Sequence, residues 1–260
     1  MTVPLKTRDQ IARLREAGRL VAETYEILRD YIAPGISTAE LDGIAERFIL
    51  KRGAKPVYKG YQPTVRRGRR PPTFPGTICT AINEVICHGL PSPRARLREG
   101  DIIGIDIGVL YQGWVGDSCV TFTVGSVDAR SRKLVEVTRA CLDQGITKAR
   151  AGGHMGDIGA AIQAHAEPLG YSVVSEYVGH GVGRLLHEEP NVPHTGDAGT
   201  GLELLPGMVF TIEPMINMGA STTESLADGW TVRTKDRSRS AQFEHMVAIT
   251  ENGPEILSEL

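Results

Sequence analysis

The stretch IIGIDIGVLYQGWVGDSCVTF, residues 102–122, determines the fold that we predict for this chain. Two apolar runs flank Gln112-Gly113, which is a plausible tight hairpin turn. We therefore predict paired strands near residues 101–124. Asp106 and Asp117 interrupt the two runs, and a hairpin closed at this turn would bring both carboxylates to one face of the sheet. A carboxylate in such a run is costly to bury unless it is paired or binds a metal.

Three more ionisable side chains lie in or beside short apolar runs. They are His180, Glu213 and Glu244. Glycines flank His180 on both sides, and glycine lets a backbone approach a site closely. Four carboxylates and one imidazole can together hold two divalent cations, a set that suggests metal-assisted hydrolysis. Oxygen-rich ligands with one imidazole suit Mn²⁺, Fe²⁺ or Co²⁺, and they also accept Zn²⁺.

The pattern along the whole chain predicts an α+β protein. Helical spacing predicts helices over residues 7–32, from Ser37 to Gly53, over 128–150 and over 156–168. Capping boxes at Thr7 with Gln10 and at Ser37 with Glu40 mark the first two starts. Strands are expected near 77–88 and 101–124, and strands and loops from 171 onward. Because long helices alternate with paired strands, a mostly antiparallel sheet is favoured over a doubly wound parallel one.

Composition limits the classes of function. Apolar residues make up 41% of the 260 residues, and the formal net charge of -2 argues against a purely electrostatic nucleic-acid binder. The four cysteines form no CxxC pair, so we expect reduced thiols in a cytoplasmic protein. The N-terminus lacks the apolar run of a signal peptide, and no apolar run approaches the roughly 20 residues of a membrane span.

Residues 59–73 form a basic segment rich in proline and arginine. It contains Arg66, Arg67, Arg69 and Arg70, and we predict a loop insertion. Two interpretations stay open for it. The insertion is either a solvated surface loop or a contact to ribosomal RNA, in which arginines bind phosphates with salt-sensitive affinity.

Four motifs occur in order along nearly the whole chain: NEVICHGLP (83–91), GHGVGRLLHEEP (179–190), GMVFTIEP (207–214) and SAQFEH (240–245). Together they resemble type I methionine aminopeptidase. The resemblance implies a pita-bread fold with helices on the outer face of a mostly antiparallel sheet. It also implies a single catalytic domain over residues 1–260 with internal pseudo-two-fold halves. The implied activity is removal of the initiator methionine from nascent chains, by attack of a metal-bound hydroxide on the scissile carbonyl.

The resemblance also assigns roles to the five metal-ligand candidates. Asp117 and Glu244 would bridge two divalent ions (Co, Mn, Fe or Zn). Asp106 would chelate one ion, while His180 and Glu213 would hold the other. In the family, three backbone carbonyls hold one monovalent cation, Na⁺ or K⁺. The positions of these carbonyls match Asn83, Val85 and Ser240.

Two histidines outside the ligand set match catalytic positions of the family. His88 would face the substrate amide and the leaving nitrogen, and His187 would stabilise the oxyanion of the scissile carbonyl. Glu213 would also act as the proton shuttle. Without the resemblance, each histidine would be interpreted as an ordinary hydrogen-bonded polar group.

A small apolar pocket for an unbranched thioether should adjoin these groups. By motif position its wall includes Phe74, Cys79 and Trp230, with Tyr58 or Tyr61 from the preceding loop. Two residues depart from the family. Phe74 replaces the commoner tyrosine, and Leu186 stands where the family more often has an aromatic residue.

Two alternative functions stay open. One is a proline-specific aminopeptidase or dipeptidase of the same fold, although such enzymes usually carry an extra N-terminal domain. The other is a metal-free scaffold relative, which would have lost ligands that this chain keeps. The short spacing between Glu213 and Glu244 favours the type I form, and we expect a monomer.

Overall fold

Four α-helices and fifteen short strands make up the part of the chain that the computed structural model describes, residues 3–63 and 70–260. The helices are α1 (Arg8–Arg29), α2 (Thr38–Lys51), α3 (Ala129–Lys148) and α4 (Met155–Ala166), which a 3₁₀ turn (Glu167–Leu169) extends. The strands are β1 (Lys55–Pro56), β2 (Ile78–Ile82), β3 (Val85–Cys87), β4 (Ile102–Tyr111), β5 (Trp114–Thr123), β6 (Ser172–Val173), β7 (Gly179–Gly181), β8 (Glu188–Val192), β9 (Val209–Ile212), β10 (Met215–Asn217), β11 (Thr223–Ser225), β12 (Val232–Thr234), β13 (Ser240–Gln242), β14 (Glu244–Thr250) and β15 (Gly253–Ile256).

The first two helices begin where the sequence predicts. Thr7 Oγ1 accepts the backbone N–H of Gln10, and the Gln10 side chain accepts that of Thr7. Ser37 and Glu40 form the same reciprocal pair at the start of α2. These contacts satisfy donors that the first turn of a helix would leave unpaired.

The predicted hairpin is present and determines the register of the largest sheet. Tyr111 pairs with Trp114, and the two turn residues between them have positive φ, 49° at Gln112 and 80° at Gly113. Positive φ at both positions is the geometry of a type I′ turn, whose twist matches that of the flanking strands. Ten residue pairs then join β4 to β5.

All pairs between strands are antiparallel, which confirms the predicted α+β class. The nine-stranded sheet has the order β1-β4-β5-β14-β9-β7-β8, with β2 on β4 and β15 on β14. Two three-stranded sheets, β13-β10-β6 and β11-β12-β3, complete the described part.

Alternating side chains divide the large sheet into two faces. On β4, Ile103, Ile105 and Ile107 point toward a core that contains residues of α1 and α2. On β9, Phe210 and Ile212 belong to a second core with residues of α3 and α4. Because side chains alternate along a strand, the residues between these positions face away from the helices. The carboxylates of β4, β5 and β14, and that of Glu213 directly after β9, therefore point to the inner face of the sheet.

Glycine allows α1 to lie close against the sheet. A Cβ atom at Gly116 on β5 would stand 2.3 Å from the carbonyl oxygen of Ala17 on α1, closer than packed atoms allow. None of the described helices is both long enough and apolar enough to cross a membrane.

Candidate active site

A row of directly paired residues crosses four strands of the inner face. Cys79 on β2 pairs with Asp106 on β4, which pairs with Cys119 on β5, which pairs with Glu244 on β14. Asp117 lies two residues before Cys119 and pairs with Gly108. Residues two apart on a strand share a face, so Asp106, Asp117 and Glu244 all point to the same side of the sheet. The hairpin register thus places the two aspartates as the sequence predicts.

His180 and Glu213 join these three carboxylates from the neighbouring strands. His180 Nε2 lies 3.6 Å from Asp117 Oδ2 and 3.7 Å from Glu213 Oε1. One ligand atom each from Asp117, His180 and Glu244 fall within 4.8 Å of one another. We call the five side chains Asp106, Asp117, His180, Glu213 and Glu244 the acidic floor.

The glycines around His180 have a steric cause. A Cβ at Gly179 would stand 2.3 Å from the carbonyl oxygen of Thr211, and one at Gly181 would stand 2.1 Å from that of Glu189. Only glycine lets β7 fit between its neighbours at this distance. The Thr211 hydroxyl then connects two floor residues, since it accepts the His180 N–H at 3.0 Å and donates to Glu213 Oε1 at 2.8 Å.

Asp117, Glu213 and Glu244 of the acidic floor are buried, and Asp106 and His180 are half-buried. Burial raises the pKa of Asp106 to about 7 and that of Glu213 to about 8. Burial and the neighbouring carboxylates raise the pKa values of Asp117 and Glu244 well above their ordinary range. No Lys or Arg is among the described residues that line this cavity. Buried carboxylates of this density need a cation or protons, and together with a neutral imidazole they fit divalent metal ions.

Tyr58 contacts two members of the floor, a role that no sequence pattern indicated. Its hydroxyl oxygen lies 2.5 Å from both Asp106 Oδ1 and Asp117 Oδ1. A hydroxyl has one proton, so both contacts are hydrogen bonds only when one carboxyl also carries a proton. The raised pKa values of the two aspartates agree with that state.

The two histidines predicted as catalytic lie at the border of the floor. The ring of His187 packs edge to face with that of His180, with centroids 4.3 Å apart. The ring of His88 packs against Tyr177 at 5.7 Å. Burial lowers the pKa of His88 to about 4 and also lowers that of His187, so both imidazoles are neutral near pH 7.

Aromatic rings line the other end of the cavity, which has a volume of about 650 Å³. Phe74 and Trp230 meet edge to face with centroids 5.1 Å apart, and Tyr58 meets Phe74 at 6.3 Å. The indole N–H of Trp230 donates to the carbonyl of Pro72 at 2.8 Å. We call Tyr58, Tyr61, Phe74 and Trp230 the aromatic wall. The sequence predicted either Tyr58 or Tyr61 in the pocket wall, and both line the cavity. Cys79 and Leu186 line it as well.

His194 also contributes to the site, although it lies outside the four motifs. Its Nε2 accepts the backbone N–H of Glu213 at 3.0 Å. Gln242 Nε2 donates to Glu213 Oε2 at 3.3 Å. Both contacts come from other strands or loops, so only the folded chain reveals them.

Comparisons with known proteins agree with this geometry. The sequence matches the profile of Metallopeptidase family M24 over residues 12–251. A protein named "Methionine aminopeptidase B" from Synechocystis sp. is 49% identical over 98% of this chain and 91% of its own length. The crystal structure of methionine aminopeptidase from Rickettsia prowazekii is similar with a TM-score of 0.93 and 42% identity, and the match covers 99% of this chain and 100% of that one. The family resemblance and the pita-bread fold predicted from the motifs are thereby confirmed.

A more distant structural neighbour is similar in fold alone. The Xaa-Pro dipeptidase from Bacillus anthracis is 23% identical with a TM-score of 0.72, and the match covers 98% of this chain but 62% of that one. It contains further chain that has no counterpart here.

Proposed function

Because this chain belongs to metallopeptidase family M24, we propose that it is an aminopeptidase that removes the initiator methionine from nascent polypeptides. The observation that carries the proposal is the cavity in which an acidic floor meets an aromatic wall. Relatives named methionine aminopeptidase, 42–49% identical over nearly the whole chain, support it.

The acidic floor would hold two divalent metal ions. Asp117 and Glu244 would bridge them, Asp106 would bind one, and His180 with Glu213 would bind the other. When bound, the ions would supply Lewis-acid chemistry that lowers the pKa of a water molecule and polarises the scissile carbonyl. Co²⁺, Mn²⁺, Fe²⁺ and Zn²⁺ all suit this ligand set.

Glu213 is suited to carry a proton from the attacking water to the leaving amine. Hydrogen bonds from Thr211 and Gln242 hold its two carboxylate oxygens. Both oxygens are thus oriented toward the cavity, where a carboxylate within hydrogen-bond reach of the reacting groups can transfer a proton.

The two neutral histidines would contact the peptide bond itself. His187 would donate a hydrogen bond to the scissile carbonyl oxygen and stabilise the charge that develops there. His88 would face the substrate amide and the leaving nitrogen. Their lowered pKa values leave each with one N–H donor and one acceptor nitrogen near pH 7.

The aromatic wall would receive the methionine side chain. Phe74, Cys79 and Trp230 offer an apolar surface, and a thioether makes favourable contacts with aromatic ring edges. Leu186, which is 9% exposed, completes the border between this pocket and His187.

The two alternatives have less support. The Xaa-Pro dipeptidase is similar in fold alone, and a metal-free scaffold would have no need of a buried, uncompensated acidic floor. Hydrolysis of Met-Ala-Ser and of X-Pro peptides, each with and without a chelator, separates all three functions. We expect cleavage of Met-Ala-Ser that the chelator abolishes. Cleavage of X-Pro peptides alone would replace the proposal, and absence of both turnover and metal uptake would favour the scaffold.

A monovalent cation, Na⁺ or K⁺, would be held by carbonyls near Asn83, Val85 and Ser240. The Asn83 backbone has a positive φ of 53°, and its carbonyl accepts the Ser240 N–H at 2.8 Å, so two of these positions are adjacent.

The proposed domain organisation is a single catalytic domain over 1–260 with pseudo-two-fold halves. The pairing of α1 and α2 with β4 and β5, and of α3 and α4 with β9 and β14, supports two similar halves. Monomeric state and cytoplasmic location stay predictions.

Contact with the ribosome through the basic insertion is a separate proposal. Arg66, Arg67 and Arg69 lie outside the described residues, and Arg70 is exposed. Neutralising these and Arg70 together should weaken co-sedimentation with ribosomes at low salt while peptide turnover stays intact. Neutralising the exposed Arg130 and Arg132 of α3 provides the control. Equal co-sedimentation of the loop variant and the wild type would refute the contact.

A further inference from the structure

Tyr61 makes a hydrogen bond that bears directly on the state of His187. Its hydroxyl oxygen lies 3.0 Å from His187 Nδ1, and the two rings stand 5.6 Å apart at their centroids. Within residues 3–63 and 70–260, this is the one side-chain hydrogen bond recorded for the His187 imidazole.

The chemistry of the two groups decides which one donates. A neutral imidazole has one N–H and one bare nitrogen. The bare nitrogen is a far better acceptor than a phenol oxygen, and a phenol O–H is a better donor than an imidazole N–H. Burial raises the pKa of Tyr61, so the phenol keeps the proton that it donates. Tyr61 therefore donates, and the remaining ring proton of His187 resides on Nε2.

The backbone of Tyr61 is well fixed for this task. Its N–H donates to the Tyr58 carbonyl at 2.8 Å, and its carbonyl accepts the Phe74 N–H at 2.9 Å. Gly60 N–H donates to the Phe74 carbonyl at 2.8 Å. These bonds join Tyr61 to Tyr58 and Phe74, so the backbone that carries the Tyr61 phenol is held from both sides.

We infer that Tyr61 is a positioning residue for His187, which holds the imidazole in the orientation and tautomer that present Nε2–H to the substrate carbonyl. Nothing in the sequence motifs assigns this role, since position 61 was predicted only as a possible pocket wall. The catalytic meaning rests on the proposed function, whereas the hydrogen bond and the tautomer do not.

A double-mutant cycle tests whether Tyr61 acts through His187. Tyr61→Phe keeps the ring and removes the hydroxyl, and it should lower kcat on Met-Ala-Ser roughly 3- to 10-fold, the scale of one neutral hydrogen bond. KM should change less than twofold. In a His187→Ala background the same substitution should have no further effect. Tyr111→Phe, on β4 beside a separate cavity against α1, is the matched control and should retain wild-type kcat.

Nitrogen NMR of the imidazole gives a readout that does not depend on turnover. In the protein loaded with diamagnetic Zn²⁺, the His187 signal, identified by its loss in His187→Ala, should be that of the Nε2–H tautomer. Tyr61→Phe should shift it toward a mixture of tautomers. A wild-type Nδ1–H tautomer, or kcat losses that multiply in the double variant, would overturn the inference. If the Nε2–H signal is present but methionyl peptides are not cleaved with any metal, the proposed function fails and the positioning of His187 by Tyr61 stands.

Discussion

The acidic floor and the aromatic wall meet in one cavity but are constructed differently. Asp106, Asp117 and Glu244 lie on long paired strands, so the register of β4, β5 and β14 fixes their mutual positions. Tyr61 and Phe74 instead lie outside the described strands and are held by a few backbone hydrogen bonds to each other, to Tyr58 and to Gly60. The difference indicates that the floor determines the chemistry, while the apolar surface of Phe74 and Trp230 determines which side chain enters. Substitutions in the two regions should therefore fail in distinguishable ways.

The largest expected effect comes from the floor. Asp117→Asn removes one negative charge from the carboxylate that would bridge two metal ions. It should lower kcat more than about 100-fold, because changes to residues that only contact a metal ligand already cost 10- to 100-fold. Metal content should fall in parallel, which atomic emission on the purified protein measures. Asp143→Asn on the exposed face of α3 is the control. Near-wild-type turnover across added metals would remove Asp117 from the bridge.

The next effect separates catalysis from metal binding at the edge of the floor. His187→Ala removes one donor to the developing oxyanion and should lower kcat by roughly 10²-fold. Metal content should stay unchanged, because His187 is outside the ligand set. His165→Ala on α4 serves as the control. Loss of metal in His187→Ala would instead make His187 a ligand and extend the floor.

A substitution in the apolar part of the wall, away from the hydroxyl groups of Tyr58 and Tyr61, should change substrate binding alone. Trp230→Leu removes the ring that packs on Phe74 at 5.1 Å. We expect KM for methionyl peptides to rise about tenfold, the equivalent of ~1.4 kcal/mol, with kcat and metal content little changed. The exposed aromatic Tyr31 provides the comparison through Tyr31→Leu. A large loss of metal would show that the wall also supports the floor, and the distinction between the two regions would fail.

The smallest expected effect concerns the segment that carries Leu186 and His187. Burial raises the pKa of Glu188, but hydrogen bonds from Lys6 and from the backbone N–H groups of Leu185 and Arg184 outweigh it and hold the pKa below its ordinary value. The ionised carboxylate of Glu188 therefore stabilises the folded state. Its contribution to the free energy of unfolding is present above the ordinary pKa of 4.5 and is lost as the pH falls below it.

Glu188→Gln should thus lower the free energy of unfolding by about 1 kcal/mol at pH 7, and by less as the pH falls below about 4.5. Urea denaturation at several pH values measures the difference. The exposed Glu251, changed to Gln in the turn after β14, is the control. A difference that is independent of pH would mean that packing, and not the charge of Glu188, is responsible.

The sequence predicted the floor better than the wall for a physical reason. Local signals such as the capping box at Thr7 and the turn at Gln112-Gly113 depend on neighbouring residues, and both are confirmed. The contact of Tyr58 with two aspartates depends on the path of the chain between helix α2 and β2, which has no periodic pattern. The contact of His194 with Glu213 likewise joins segments whose approach is set by the whole fold.

Metal titration of chelator-stripped protein tests most directly whether the acidic floor holds two metal ions on which turnover depends. Calorimetric stoichiometry and Met-Ala-Ser turnover are measured on the same samples. We expect that up to two divalent ions bind per chain, that turnover appears only with metal, and that Asp117→Asn loses both metal binding and turnover. Turnover of Met-Ala-Ser by the stripped protein, or metal binding unchanged in Asp117→Asn, would contradict this expectation.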